Sequence, residues 1–410
     1  MQRIRTEPLV SVFFSPRSAT NSFSFAWAEG VRDQGIRVVV AVSILEEETM
    51  ERYPFGNDPG KIEGYRAFWN REARRRPLVG FSLKSWFPLE EFAASRAWKS
   101  QEFLNPDMVE PEAFLDDQER LLQEGEEMDD DILRGASPSQ AVPWLDGMLG
   151  APLRILPGNV LSQEQTLPWE DIARMRLDPE NPWYRKYMEF GEALVARSAG
   201  RFPVSHGTLF GPTDLLATFR GHTRAVLDLM DEPDRAQEAL WKFTYLFQQV
   251  TEEFWKRIPL FAGGYFDAQY QLWTPGPVLR LQEDAIAVYS PRLYLTFVQP
   301  LDRYLARRFS GCFMHLHSTS MFLLDHILEI EELRCLQVNY EVASGGPDIK
   351  GMLPYFRRIQ EAGRSLLIRG SFTLEELRLL VDSLDPRGLY LYIMVADLSE
   401  VERLRPLVGL

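Results

Sequence analysis

Short apolar runs alternate with longer amphipathic segments along most of this chain. The runs are rich in β-branched and aromatic residues, and segments with helical periodicity, such as residues 231–258, follow most of them. Strands that alternate with helices in this way predict a parallel sheet covered by helices. The predicted strands are residues 77–83, 152–156, 201–207, 261–267, 312–318, 335–341, 365–371 and 389–395.

Eight strands of this kind predict an α/β fold of the (β/α)8 barrel type. The alternative is an open, doubly wound sheet, but no predicted strand is followed by the glycine-rich fingerprint of a dinucleotide fold. An amphipathic segment after Met50 precedes the first strand, so the barrel is expected to carry an N-terminal helical extension.

Residues 1–49 have a different character from the rest of the chain. They contain the Ser- and Phe-rich stretch "SATNSFSFAWAEG" and a strand-like run, "IRVVVAVSIL", without an evident partner. Met50 opens a segment that resembles a natural N-terminus. We therefore expect residues 1–49 to be a non-native or flexible extension, and residues 50–410 to form a single barrel domain.

Composition and charge narrow the classes of partner. The chain of 410 residues is 45% hydrophobic and 25% charged, and its apolar stretches are shorter than the ~20 residues that cross a bilayer. Its two cysteines, Cys312 and Cys335, fit a cytoplasmic protein. A net charge of -14 argues against nucleic acid as a partner. Residues 110–134 hold eleven acids against two arginines, which predicts a solvated helix and loop.

Several segments, in a fixed order, resemble the uroporphyrinogen decarboxylase superfamily, which includes the cobamide-dependent methyltransferases. They are "RRRPLVGFSL", "WLDGMLGAPLRI", "GPTDLLATFRG", "EDAIAVYSPRLYLTFVQPLDRYL", "HLHSTSMFLLDHILEIEELRCLQVNYE" and "GSFTLEELRLLVDSL". This resemblance covers residues from about Gly64 to Leu404. It implies a (β/α)8 barrel whose site lies at the carboxyl ends of the strands.

The chain also departs from both named activities. The decarboxylases carry an arginine-rich segment after the first strand, where this chain has Lys84 as its only cation. The methyltransferases hold zinc through His-x-Cys and a later cysteine. Here the corresponding place reads His315-Leu316-His317, and no later cysteine occupies the end of the barrel.

The two histidines are the principal candidates for chemistry. Side chains alternate along a strand, so Phe313, His315 and His317 share one face, and about 6.6 Å separates the Cα atoms of the two histidines. Apolar residues on the other face predict that the histidines point toward the barrel mouth. There they could act as acid or base, or bind zinc or another divalent metal, with Glu341, Asp267 or His206 as a third ligand and Glu341 taken first. The alternative is a hydrogen-bonded pair of core histidines.

Other polar and aromatic residues at predicted strand ends complete the candidate site. Asp267 is a catalytic candidate, and Arg369 suits a carboxylate or phosphate, or a structural ion pair with Glu341. Polar side chains aimed into a barrel need partners, which a polar ligand supplies. The substrate-binding candidates are Lys84, His206, Tyr265, Trp273, Asp284, Gln337, Asn339 and Arg369.

The resemblance leaves three functions open. The first is methyl transfer that involves a corrinoid or a small methylated substrate, with a corrinoid protein as a candidate partner. The second is decarboxylation of a tetrapyrrole or another carboxylate, and the third is non-catalytic binding of a corrinoid or tetrapyrrole. Neither nucleic acid nor a membrane is expected as a partner, and formation of a homodimer stays open.

Overall fold

A computed structural model of the chain describes residues 53–83 and 89–410, and also the backbone of two strands within residues 26–42. The chain divides into two compact units, residues 1–52 and 53–410. In the first unit, Ala26–Val31 pairs antiparallel with Arg37–Val42, so the run that lacked an evident partner in the sequence has one.

The described strands are numbered in chain order. They are β1 (Ala26–Val31), β2 (Arg37–Val42), β3 (Leu78–Leu83), β4 (Phe103–Leu104), β5 (Leu153–Leu156), β6 (Asn159–Ser162), β7 (Tyr265–Asp267), β8 (Leu272–Thr274), β9 (Val278–Gln282), β10 (Gly311–His317), β11 (Cys335–Asn339), β12 (Ser365–Gly370) and β13 (Leu389–Val395).

Helices follow most of the parallel strands, and their ends carry the expected signals. Thr373 and Glu376 form a capping box at the start of one helix, and Asp397 caps another. The described α-helices are α1 (Lys61–Asn70), α2 (Ala93–Arg96), α3 (Glu112–Glu126), α4 (Trp144–Met148), α5 (Trp169–Arg174), α6 (Pro182–Ser198), α7 (Pro212–Arg220), α8 (His222–Asp231), α9 (Pro233–Trp255), α10 (Pro291–Leu293), α11 (Gln299–Arg308), α12 (Leu324–Leu328), α13 (Ile349–Glu361), α14 (Leu374–Ser383) and α15 (Leu398–Val408).

A six-stranded parallel sheet forms the centre of the second unit, in the order β3-β13-β12-β11-β10-β9. The α/β class predicted from the sequence is therefore confirmed. Parallel strands align their carboxyl ends at one edge of the sheet. The carboxyl ends of β9, β10 and β11 consequently lie side by side.

Two further segments run beside the edge strands of this sheet. The backbone N–H of Asp131 donates to the carbonyl of Val79 in β3 (3.0 Å), and that of Gly211 donates to the carbonyl of Gln282 in β9 (2.8 Å). Between these contacts, Ala136 and Val204 form a parallel bridge. Backbone hydrogen bonds thus continue from each edge of the sheet into the segments 131–136 and 204–211.

Alternation along the strands separates two apolar clusters. Cys312, Met314 and Leu316 of β10 belong to the cluster that packs under the helices. Phe313 belongs to a second cluster, with side chains from α1 and from the loop around Tyr270. The predicted division of β10 into two faces is therefore confirmed, and His315 and His317 share the face of Phe313.

Two predicted barrel strands are wrong, and a third is described only in part. Residues 152–156 contribute β5 to a small antiparallel sheet, and residues 261–267 contribute only β7, which pairs antiparallel with β8. Residues 201–207 hold a single bridge at Val204. Conversely, β9 was missed because its apolar run, "VLRLQ", contains an arginine and a glutamine that point into the protein.

Substitution of Gly80 tests how closely residues 131–136 pack against β3. A Cβ atom at Gly80 would lie 2.3 Å from Cδ1 of the fully buried Ile132, so Gly80→Ala should lower the free energy of unfolding by about 1–3 kcal/mol. Ile132→Ala makes room for that methyl group. Urea unfolding of both single variants and the double variant should show a favourable coupling of about 0.5–3 kcal/mol, whereas strict additivity would contradict the packing.

Candidate functional site

Three side chains meet at the carboxyl ends of β9 and β10. The Nε2 atoms of His315 and His317 lie 3.3 Å apart. Oδ1 of Asp284 lies 3.3 Å from Nε2 of His317 and 3.8 Å from Nε2 of His315. The side chain of His315 is 3% exposed, but those of His317 and Asp284 are 32% and 35% exposed, so the cluster opens toward solvent.

Hydrogen bonds fix both the backbone and the side chain of Asp284. The N–H groups of Asp284 and Ala285 donate to the carboxylate of Asp214, at 3.0 and 2.7 Å. Gln282 Nε2 donates to Oδ2 of Asp284 at 3.0 Å. Because Oδ2 is occupied, Oδ1 is the oxygen turned toward the two histidines.

The outer ring nitrogens of both histidines contact residues of β11 and its following loop. Nδ1 of His317 lies 2.6 Å from Oε2 of Glu341. Nδ1 of His315 lies 2.5 Å from Oε1 of Gln337 and 2.9 Å from the hydroxyl of Tyr270. Each imidazole is therefore fixed on the side away from Asp284.

A chain of hydrogen bonds determines which nitrogen of His315 carries the proton. The carboxylate of Glu341 only accepts, so the amide nitrogen of Asn339 donates to it (3.1 Å). The amide nitrogen of Gln337 in turn donates to the Asn339 oxygen (2.9 Å). The Gln337 oxygen is thereby presented to Nδ1 of His315, which must donate. Nε2 of a neutral His315 keeps its lone pair.

The two carboxylates beside His317 favour a positive charge on its ring. Burial lowers the pKa of His315 to about 4, so this ring is neutral at pH 7. Burial also disfavours a charged His317, but hydrogen bonds to Asp284 and Glu341 outweigh it and raise its pKa to about 10. Against the effect of burial, the two histidines lower the pKa of Asp284 to about 2. Asp284 and Glu341 thus stabilise a cation between them.

The same three atoms fit the first shell of a metal ion. Zinc–nitrogen bonds of about 2.0–2.1 Å in a tetrahedron place adjacent ligand atoms about 3.3 Å apart. Two of the three separations in the cluster equal 3.3 Å, and the third is 3.8 Å. Among the described residues, Asp284, His315 and His317 are the group of His, Cys, Asp and Glu side chains close enough together to hold an ion.

Glu341, predicted as the third ligand, has a different place. Its carboxylate contacts Nδ1 of His317, on the far side of the ring from Asp284. Asp284, predicted to bind substrate, lies where the third ligand was expected. Glu341 therefore lies behind the ring of His317, and its predicted role as a metal ligand stays a prediction.

His206 and Asp267 lie together in a second, deeper cluster. Oδ2 of Asp267 is 4.0 Å from Nε2 of His206 and 3.3 Å from Nη1 of Arg280, and these side chains are almost fully buried. Arg280 Nη2 donates to Gln140 at 3.2 Å. Burial lowers the pKa of His206 to about 4. This deeper cluster therefore contains one buried ion pair beside a neutral imidazole.

Asp267 also positions the loop that reaches the histidines. Its Oδ1 accepts from the backbone N–H of Tyr270 (2.9 Å), and the Tyr270 hydroxyl contacts His315. The guanidinium of Arg280 lies 5.9 Å from the centre of the Tyr270 ring. The geometry gives Asp267 a positioning role through Tyr270, and the direct catalytic role predicted from the sequence stays a prediction.

Two of the predicted pocket aromatics are not brought to the histidines. Trp273 is fully buried, and its backbone carbonyl accepts from the indole N–H of Trp69 on α1. The neighbouring residue of α1, Phe68, accepts from Ser365 at the start of β12, so Trp273 lies near the amino end of that strand. Tyr265 packs edge to face on Trp255 with ring centroids 5.1 Å apart. Lys84 lies outside the described residues, so its predicted role stays a prediction.

Gln337, Asn339 and Arg369 do lie beside the cluster, as their positions on adjacent strands predict. Gln337 is paired in register with His315, and Asn339 is paired with both His317 and Arg369. Arg369 is 8% exposed. Sequence reasoning missed three residues that shape the two clusters, because they lie in misassigned or helical segments: Asp214, Tyr270 and Gln282.

No family model matches the chain, and no curated protein matches it in sequence. A methyltransferase from Methanosarcina mazei is similar in structure, with a TM-score of 0.53 and 13% sequence identity. The likeness is one of fold. It covers 84% of this chain and 96% of the methyltransferase. None of the helices in the described ranges is apolar over enough residues to span a bilayer.

The role of Asp267 can be separated from catalysis by stability measurements. Asp267→Asn leaves Arg280 charged and buried without its counterion, so we expect a loss of about 3–5 kcal/mol in urea unfolding. The double variant Asp267→Asn/Arg280→Met should recover part of that loss. Asp325→Asn, which breaks an exposed pair with Arg358, should cost at most about 1 kcal/mol. An Asp267→Asn protein of unchanged stability would refute the structural role.

Proposed function

We propose that this protein is a methyltransferase of the uroporphyrinogen decarboxylase superfamily, and that Asp284, His315 and His317 bind a divalent metal ion, zinc in the first place. The observation that carries the proposal is the convergence of two imidazole Nε2 atoms and one carboxylate oxygen at separations of 3.3, 3.3 and 3.8 Å. The fold shared with a methyltransferase supports the choice of reaction.

We also infer that the central sheet closes into an eight-stranded barrel. The hydrogen bonds from Val79 to Asp131 and from Gln282 to Gly211, with the bridge between Ala136 and Val204, supply candidates for the two missing strands. Closure would place the cluster at the mouth of the barrel, because it lies at the carboxyl ends of β9 and β10. Barrel enzymes hold their active sites at that face.

The contacts around the cluster support a metal ion rather than a simple pair of core histidines. Metal-binding histidines commonly donate their second N–H to a carboxylate or carbonyl oxygen, which fixes the ring and raises its basicity. Glu341 and Gln337 occupy those positions for His317 and His315. A core pair would need no third oxygen, yet Asp284 is held in place by hydrogen bonds of its backbone N–H to Asp214 and of its carboxylate to Gln282.

A bound zinc ion supplies a Lewis acid that lowers the pKa of a coordinated acceptor, such as a thiol or water, and so favours the nucleophilic form. The protein's own residues orient and restrict that chemistry. Glu341 and Gln337 hold the histidine rings, and Gln282 and Asp214 hold the carboxylate. The exposed edges of His317 and Asp284 leave room for an acceptor on the solvent side.

The methyl donor in this proposal is a corrinoid, alone or on a partner protein, or a small methylated compound. Decarboxylation is less well supported, because grips for several carboxylates require free cations. Arg280 is neutralised by Asp267 and fully buried. A non-catalytic binding protein would not require the ordered hydrogen bonds behind the three converging atoms.

Metal analysis tests the proposed ligands. Protein purified without chelator should contain a stoichiometric divalent metal, which His315→Ala and Asp284→Ala should remove. Glu341→Gln should lower the affinity by about 10- to 100-fold rather than abolish it, because Glu341 supports a ligand. His326→Ala, on the surface beside Glu329, is the matched control and should bind normally. Metal retained by both ligand variants would exclude this site.

Methyl transfer is tested by the absorbance of methylcobalamin incubated with the metal-loaded protein and a thiol acceptor. Loss of the methylcobalamin spectrum should require the protein, and His315→Ala should slow it at least about 100-fold, about 2.7 kcal/mol in the activation barrier. The His326→Ala variant should retain full activity. A methylcobalamin spectrum unchanged with every acceptor, together with release of carbon dioxide from uroporphyrinogen, would favour the decarboxylase.

A further inference from the structure

A cavity of about 140 Å³ lies at the carboxyl end of β3. Its walls come from β3, from helix α3, from residues 134–140 and from the loop around Tyr270. Apolar cavities of similar volume in other proteins hold a benzene molecule. We call this space the Arg134 cavity, and it has room for a ligand with a single ring.

The charged side chains in the wall of the cavity are paired. Nη2 of Arg134 donates to Asp130 at 2.6 Å. Carboxylate oxygens of Glu124 and Glu91 lie 2.6 and 3.7 Å from guanidinium nitrogens of Arg120. A charged ligand would lose its hydration in the cavity and would have to compete for counterions that already have partners. The Arg134 cavity therefore favours an uncharged ligand.

Hydrogen-bond donors lie at one end of the cavity. Arg134 is 5% exposed, and its Nη1 is buried without a hydrogen-bond partner in the described part of the chain. Ser137 Oγ accepts from Gln140 Nε2 (2.7 Å), and Ser139 Oγ accepts from the backbone N–H of Ala141 (3.3 Å). These contacts use the oxygen of each serine and not its hydrogen. Since Arg134 and both serines line the cavity, an uncharged ligand here needs an acceptor oxygen.

A carbonyl oxygen suits this end of the cavity, and an apolar ring suits the rest. The carbonyl oxygen has two lone pairs, so it can accept from more than one of these donors, and it brings no hydrogen that needs an acceptor of its own. A ring on the carbonyl carbon would bury apolar surface against the remaining wall. Six apolar side chains contribute most of that wall: Phe81, Leu83, Phe92, Leu121, Leu122 and Met128.

We propose that the Arg134 cavity binds an uncharged carbonyl compound with a single ring. Its oxygen accepts from Arg134 and from the serine hydroxyls, and its ring packs against the apolar wall. The cavity is a site separate from Asp284, His315 and His317, and the proposal does not rest on a metal ion there.

Four ligands of nearly identical shape test the proposal by isothermal titration calorimetry on the full chain. Acetophenone has the ring and the carbonyl group, and α-methylstyrene carries a CH2 group in place of the oxygen. Benzoate is the corresponding anion, and benzamidine is the corresponding cation. We expect acetophenone to bind at least about tenfold more tightly than each of the other three, because α-methylstyrene leaves the buried donor unpaired and the two ions lose their hydration.

Variants locate the binding. Arg134→Lys keeps a cation beside Asp130 but removes Nη1, so it should weaken acetophenone about tenfold and leave α-methylstyrene unchanged. Leu121→Trp fills the cavity from α3 without altering its charge, and it should abolish binding of acetophenone. Gln123→Trp, an exposed position of the same helix that does not line the cavity, is the matched control and should bind normally.

His315→Ala should bind acetophenone like the wild type, which separates this proposal from the metal proposal. Three results would overturn the proposal: no saturable binding of acetophenone, equal affinity for α-methylstyrene or for either ion, or binding that survives in Leu121→Trp.

Discussion

The candidate site depends on the hydrogen bonds that fix the Nδ1 atoms of two imidazole rings. Parallel pairing of β10 with β11 sets His315 opposite Gln337 and His317 opposite Asn339. Hydrogen bonds that begin at the carboxylate of Glu341 then fix the proton on Nδ1 of His315. A shift of β11 by one residue would turn Gln337 and Asn339 to the helix-covered face, away from the two histidines. The register of two strands therefore determines the chemistry of the site.

Polar groups this deep must satisfy one another, and the second cluster shows how they do so. Arg280 precedes Gln282 by two residues on β9, and its charge is neutralised by Asp267. Asp267 also accepts a hydrogen bond from the backbone N–H of Tyr270. Tyr270 carries the connection up to His315. The interior is thus layered, with an ion pair beneath and a ligand-like cluster above. The loop around Tyr270 joins the two layers.

The sequence could predict what is periodic but not what depends on long-range contacts. Alternation in β10 was sufficient to orient His315 and His317, and the apolar runs located β3 and the last four strands of the sheet. The apolar pattern could not show that residues 261–267 lead into a hairpin, in which β7 pairs with β8, because hairpin strands and barrel strands have the same apolar character. Asp130, in an acidic stretch that predicts a solvated surface, is buried and accepts from the backbone N–H of Phe81 in β3 (2.7 Å), a contact that only the folded chain creates.

The proposed ligand set has consequences for the choice of metal. Replacement of thiolates by imidazole and carboxylate makes a harder site, and two histidines with one carboxylate suit iron(II) as well as zinc. A site with two thiolates neutralises a divalent ion, whereas Asp284 alone leaves a net positive charge. The negative charge of Glu341, 2.6 Å from Nδ1 of His317, offsets part of that positive charge through the imidazole ring. In the proposed site, the carboxylate behind the histidine would do electrostatically what a second anionic ligand does directly, and it would leave that position open to an acceptor.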